Sequence, residues 1–171
     1  MRGEGEGEGE NEGKKSAPGA PIAIYTIGYE GASVESFLDA CRQNGLARIL
    51  DVRHNPWSRK PGFSKKALAE ACARAGLEYR HLPELGIPRA QRQEAGTTEG
   101  SRAVLDRYQK EILPPQREAI AQALALVQEK PTALLCLEAD PAHCHRGRLA
   151  QELARISGLP INHLEITKEA R

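Results

Sequence analysis

The stretch Thr132–Leu153, TALLCLEADPAHCHRGRLAQEL, decides how the rest of the chain is read. Thr132 to Leu137 is an apolar run long enough for a buried strand and too short for a helix. Gly147 to Leu153 has helical spacing. Between them a polar turn packs Glu138, Asp140, His143, Cys144, His145 and Arg146 into nine residues. Strand, loop, helix is the order in which open α/β sheets build sites, because a strand's carboxyl end and the next helix's amino end open into one crevice. The free N–H groups and positive dipole end of such a helix favour an anion there. One loop of this kind is equally well explained as a capping network. The weight comes from similar clusters elsewhere in the chain.

Working outward, Ile22 to Ile27 reads as a first strand ending in TIGYEG, where Gly28 and Gly31 permit a sharp turn and a close approach to a neighbour or ligand. Ser33 is placed to cap a helix carrying Val34, Phe37, Leu38 and Cys41, which Gly45 closes. Leu46 to Val52 is a second strand, running into DVRHNPWSRKPGF, where Pro56 and Pro61 exclude a helix. Ser64 caps the next helix, with Phe63 and Leu68 at the spacing of a hydrophobic staple, and Gly76 ends it. Leu77 to Leu82 is a third strand, followed by a long polar loop. Ser101 is expected to cap a helix with Val104, Leu105, Tyr108 and Ile112 on one face. Pro114 and Pro115 break the chain, Pro115 suits a helix start, and Ile120, Leu124 and Val127 continue an apolar stripe. After the central stretch, Gly158 ends the last helix and Ile161 to Ile166 forms a final strand. The alternation predicts a single α/β domain, residues 22–171, with a mainly parallel sheet of about five strands and helices on both faces. Right-handed crossovers then bring all the strand-exit loops to one edge.

Residues 1–21 are low-complexity Gly and Glu followed by a Pro-containing link, which is expected to be a disordered tail. The 171 residues carry 24 Lys+Arg and 23 Asp+Glu. Arg2, Lys14 and Lys15 against five Glu leave the first 15 residues at −2 and the remainder at +3. That is too mild for a wholesale polyanion binder, so any phosphate recognition is expected to be local. Four cysteines do not make a disulfide framework in a chain of this size. Cys41 and Cys72 fall among Ala and Leu on expected helices, as small buried hydrophobes. No apolar run approaches a membrane span, and a reducing cytoplasm is the expected setting. Oligomeric state is left open.

Four motifs, TIGYEG, DVR-x-x-P-x-S-R, L-P-E-L-G and C-x-E-x-x-P-x-x-CHR, occur in that order. In that combination the chain resembles a bacterial and archaeal family, domain of unknown function 488, over roughly Ala23 to Ile166. The resemblance implies an α/β fold and a site, but no reaction. It marks Thr26, Gly28, Asp51, Arg53, Pro56, Ser58, Arg59, Glu138, Cys144, His145 and Arg146 as motif positions, and Tyr29 stands where members often carry His.

Three chemistries fit these residues. In the first, the protein is a hydrolase or transferase acting on a phosphate-bearing substrate, a small phosphorylated molecule or a nucleic-acid end. Arg53, Arg59 and Arg146 clamp the anion, with Ser58, Thr26, Gly28 and Tyr29 lining the substrate site. Glu138 or Asp51 is then general base or holds a Mg²⁺, and His145 is the acid. In the second, the Cys144 thiol beside Arg146 and a helix start is a nucleophile for thiol or sulfur transfer. The third is a non-catalytic nucleotide or nucleic-acid module. Aromatic stacking residues are scarce, and Trp57 is read as a packing plug for its loop. A zinc site from Cys136, His143, Cys144 and His145 does not match common ligand spacings and is set aside.

Overall fold

Five short strands carry the alternation that the sequence announces. In the computed structural model, which describes residues 19–92 and 98–167, they are β1 (Ile24–Gly28), β2 (Arg48–Asp51), β3 (Glu78–His81), β4 (Thr132–Cys136) and β5 (Ile161–Leu164). All their pairings are parallel, in the order β3-β2-β4-β1-β5. The stretch that opened the reading therefore supplies the middle strand. Every residue of β1, β2 and β4 is buried, while the edge strands β3 and β5 carry polar residues that stay partly open.

Strand side chains alternate between two cores. Tyr25, Ile27, Ile49, Ala133 and Leu135 pack with Phe37 and Cys41 of α1 (Val34–Gln43) and with Leu68 and Cys72 of α2 (Lys65–Arg74). Ile24, Leu50 and Leu134 pack on the opposite face. There they meet Val104 of α4 (Thr98–Arg107), Val127 of α5 (Arg117–Glu129) and Leu149 and Leu153 of α6 (His145–Ser157). Helices cover both faces of a single α/β domain. A one-turn helix, α3 (Arg89–Arg92), lies on the loop after β3.

This topology fixes where a crevice opens. The chain leaves β1 and β2 toward α1 and α2 on one face, but leaves β4 toward α6 on the other. Both neighbours of β4 thus turn away from it, and ligands of open α/β sheets bind at such switch points, outside the carboxyl ends.

Several local expectations shift. Ser101 lies inside α4 rather than at its cap. Pro115 stands one residue ahead of the Gln116 cap of α5. The last helix begins at His145, two residues before Gly147. Ser33 caps α1 as expected, accepting from the Ser36 N–H at 3.1 Å. The Ser64 hydroxyl instead serves the loop before it, through the N–H and carbonyl of Ser58. The expected tail lies, up to residue 18, outside the described residues. At its end the Pro21 carbonyl accepts from the Tyr25 hydroxyl at 2.6 Å. Among the described residues no helix is long and apolar enough to cross a membrane.

Leu134 is fully buried at the centre of β4. Leu134→Ala is expected to cost about 2–5 kcal/mol in urea unfolding, and a cost near zero would show that β4 is not the core strand.

Candidate functional site

Two buried arginines frame the carboxyl edge of β4, and each is engaged by the protein. Arg53 binds Asp51 with both arms, Nε to Oδ1 at 2.9 Å and Nη2 to Oδ2 at 2.8 Å. Its Nη1 donates to the Tyr29 hydroxyl at 3.0 Å and the Phe63 carbonyl at 2.7 Å. Asp51 also accepts from the Arg53 backbone N–H at 3.1 Å and from the Tyr79 hydroxyl at 2.5 Å. Its four lone-pair positions are all taken, leaving none for a substrate proton or a Mg²⁺. Burial, then the Asp51 charge, push the Tyr79 pKa well above its ordinary value, so Tyr79 stays a donor. His81 Nε2 holds the Arg53 carbonyl at 2.7 Å, and the Tyr29 ring stacks on Phe63 with centroids 4.3 Å apart.

Arg146 comes from α6, on the other face. It is fully buried, and among the described residues no carboxylate oxygen lies within ion-pair reach of it. Its Nη1 donates to the Glu138 carbonyl, its Nη2 to the Ala139 carbonyl at 3.1 Å, and Nη1 also lies 3.4 Å from Cys136 Sγ. Burial lowers its pKa to about 10. The Glu138 carbonyl it grips sits where a Cβ on Gly28 would be, so only glycine lets the β1 and β4 exits meet. Arg53 and Arg146 thus hold separate loops on opposite sides of the sheet, and their donors face protein acceptors instead of forming one clamp.

Between them lies a crevice of about 190 Å³ lined by Tyr29, Arg53, Trp57, Glu138, Cys144 and His145, among others. Here Cys136 and Cys144, eight residues apart, turn their sulfurs directly toward each other. The two sulfurs and His145 Nδ1 lie within 4.8 Å of one another. His145 Nε2 donates to the Val52 carbonyl at 2.8 Å, because a carbonyl only accepts. That fixes the tautomer and leaves the Nδ1 lone pair free, 3.9 Å from Cys144 Sγ. Burial lowers the imidazole pKa to about 4, so it is neutral. Glu138 Oε2 lies 3.2 Å from Cys136 Sγ.

The sequence-named residues therefore divide. Tyr29, Arg53, Glu138, Cys144 and His145 line the crevice; Asp51 and Arg146 stand behind it as supports. Thr26 is drawn off to β5, its hydroxyl 2.6 Å from His163 Nδ1. Ser58 staples its own loop to the start of α2, and Arg59 is exposed outside the lining. Cys136 was legible as flanking the central loop, near the end of a strand expected to reach Leu137; it is the last residue of β4, and its facing depended on register. Trp57 is 63% exposed, so it is no packing plug. Three soft donors suit a zinc or copper ion by type. The Arg146 guanidinium against Cys136 Sγ opposes a cation, since like charges repel at that range.

A doubly covered parallel sheet with a polar crevice at its central switch point defines the class: an open α/β protein with a crevice at the strand carboxyl ends. Within that class, the chain belongs to the family described as Domain of unknown function DUF488, whose model matches residues 33–153. No curated protein and no solved structure matches it.

Two outcomes follow for stability. Arg53→Ala strands a buried carboxylate and is expected to cost about 3–5 kcal/mol by chemical denaturation, with Arg53→Lys intermediate. A neutral result would mean that Asp51 is not held by this pair. For His145, the unfolded chain takes up a proton near pH 6.5, whereas the folded one resists until about pH 4. Stability present above pH 6.5 is therefore lost as pH falls toward 4, by about 3 kcal/mol in all. His145→Asn should flatten that slope, and an unchanged slope would assign it to other groups.

Proposed function

We propose that the chain is a cysteine-dependent enzyme, with Cys144 as nucleophile and Cys136 as its resolving thiol. The observation that carries this reading is the convergence of both sulfurs with a neutral, tautomer-fixed imidazole in one crevice. Nucleophile, base and a third group orienting the base are the recurring parts of covalent catalysis. The His145 Nδ1 lone pair accepts the Cys144 S–H bond and draws the proton away as Sγ attacks an electrophilic sulfur of the substrate. The S–X bond of the substrate breaks, and X leaves with the electron pair and a proton. Cys136, its thiolate favoured by the buried Arg146 cation, then attacks Cys144 Sγ and closes the Cys136–Cys144 bond. The second sulfur departs as a thiol. Net, the substrate gains two electrons and two protons, which the dithiol loses, and an external thiol restores the pair. The cytoplasm expected from the sequence would supply one. The phosphate-clamp reading is weaker, because both guanidiniums already hold protein acceptors.

The test is alkylation of the reduced protein with iodoacetamide, mapped by mass spectrometry. Cys41 and Cys72, sealed in the core away from the crevice, are internal controls for Cys136 and Cys144, which are also buried but line it; burial raises the Cys72 thiol pKa to about 11 and that of Cys41 further. Label is expected on Cys144 and Cys136 first, with Cys144→Ser removing the fast phase and His145→Asn slowing it by roughly tenfold or more. Equal labelling of all four cysteines, or none of the crevice pair, would sink the proposal.

A further inference from the structure

We infer that Trp57 is a stacking platform for a flat heteroaromatic ring, a nucleobase carrying a phosphate, delivered to the cysteine crevice. The inference rests on that crevice being the reaction site. A lone exposed apolar side chain carries no argument by itself. Trp57 differs in that it lines the crevice and the backbone on both sides of it is tied down. The Pro56 carbonyl accepts from the Lys65 N–H at 2.8 Å, and the Ser58 N–H donates to Ser64 Oγ at 3.0 Å. Ser64 Oγ returns a bond to the Ser58 carbonyl at 3.2 Å, and Ser58 Oγ accepts from the Lys60 N–H at 3.1 Å. A loop fixed in this way, with its indole left 63% exposed, presents that ring at little further entropic cost on binding.

The ligand's chemistry follows from the rest of the lining. The volume of about 190 Å³ is below that of drug-sized sites, so it admits one small planar group or the end of a longer molecule. Asn55, Glu138 and His143 offer hydrogen-bonding partners to the edge of such a ring. Arg92, also in the lining, holds the Ile87 carbonyl through Nε at 3.1 Å and brings a guanidinium charge that suits an anion. Stacking face, polar edge and one cation together describe a nucleotide, free or at the end of a single strand.

The chain has a single tryptophan, so its emission reports on this position alone. The reduced protein is titrated with the four common nucleoside 5′-monophosphates, a short single-stranded oligonucleotide, ribose 5-phosphate and inorganic phosphate. Saturable quenching is expected from at least one base-bearing probe at millimolar concentration or below, and none from ribose 5-phosphate or phosphate. The mononucleotide and oligonucleotide arms tell a free nucleotide from a strand end. By calorimetry, Trp57→Ala should weaken the tightest probe by roughly 5- to 100-fold, and Trp57→Phe should largely restore it. The titration reads binding alone, so a failure of the thiol chemistry would not hide it. Emission that stays flat with every base-bearing probe, or responds equally to ribose 5-phosphate, overturns the inference whatever the alkylation result.

Discussion

The two-armed bond between Arg53 and Asp51 is the interaction on which the carboxyl edge depends. Asp51 ends β2 with no exposure, and a carboxylate there is tolerable only with a full set of donors. Arg53 supplies three of them, and the fourth is the Tyr79 hydroxyl from β3. The remaining reach of the guanidinium fixes Tyr29 after β1 and the Phe63 carbonyl ahead of α2. The exits of β1 and β2, a side chain of β3 and a helix entry are thereby held by one ion pair. The loop that carries Trp57 runs between its two attachment points, Arg53 and Phe63, which is why that loop keeps a defined path without helix or strand.

Buried arginines elsewhere in the fold show what is special about Arg146. Arg48, at the opposite edge, meets Glu78 at 3.0 Å and Glu129 at 3.4 Å. Arg53 meets Asp51. Arg146 instead meets two loop carbonyls and a sulfur directly, with the Glu138 and Asp140 carboxylates acting on it from farther off. A buried cation left in this condition favours any neighbouring group that can become an anion. The neighbour is Cys136, whose sulfur also faces the Glu138 carboxylate at 3.2 Å, a charge that opposes a thiolate there.

Much of the architecture was legible because its signals are local. Apolar runs of strand length, the Ser33 cap, and Phe63 and Leu68 astride a helix start all act within a few residues. The exit loops could be gathered onto one edge because parallel strands with helical crossovers leave no alternative. The strand order was not legible, nor was which guanidinium faced outward. Both depend on residues far apart in sequence: Arg53 is satisfied by Tyr29 and Phe63, and Gly28 is filled by the Glu138 carbonyl. Motif residues rich in charge were therefore read as substrate contacts when several are internal ties. Trp57 was misread for the same reason, since nothing local distinguishes an indole that plugs a loop from one that the loop holds out.

The central position of β4 has a consequence for how the chain assembles. Among the described residues, β1 pairs only with β4 and β5, and β2 only with β3 and β4. The strand that joins the two halves begins at Thr132, late in the sequence. Until it is synthesised, β1 has no neighbour and β2 and β3 form a two-stranded fragment, too little to be stable alone. A ribosome-bound chain must therefore keep most of its apolar strand surface unpaired through most of translation. The sheet closes only when a late segment inserts between early ones, an ordering that makes folding slow and the nascent chain dependent on protection from aggregation.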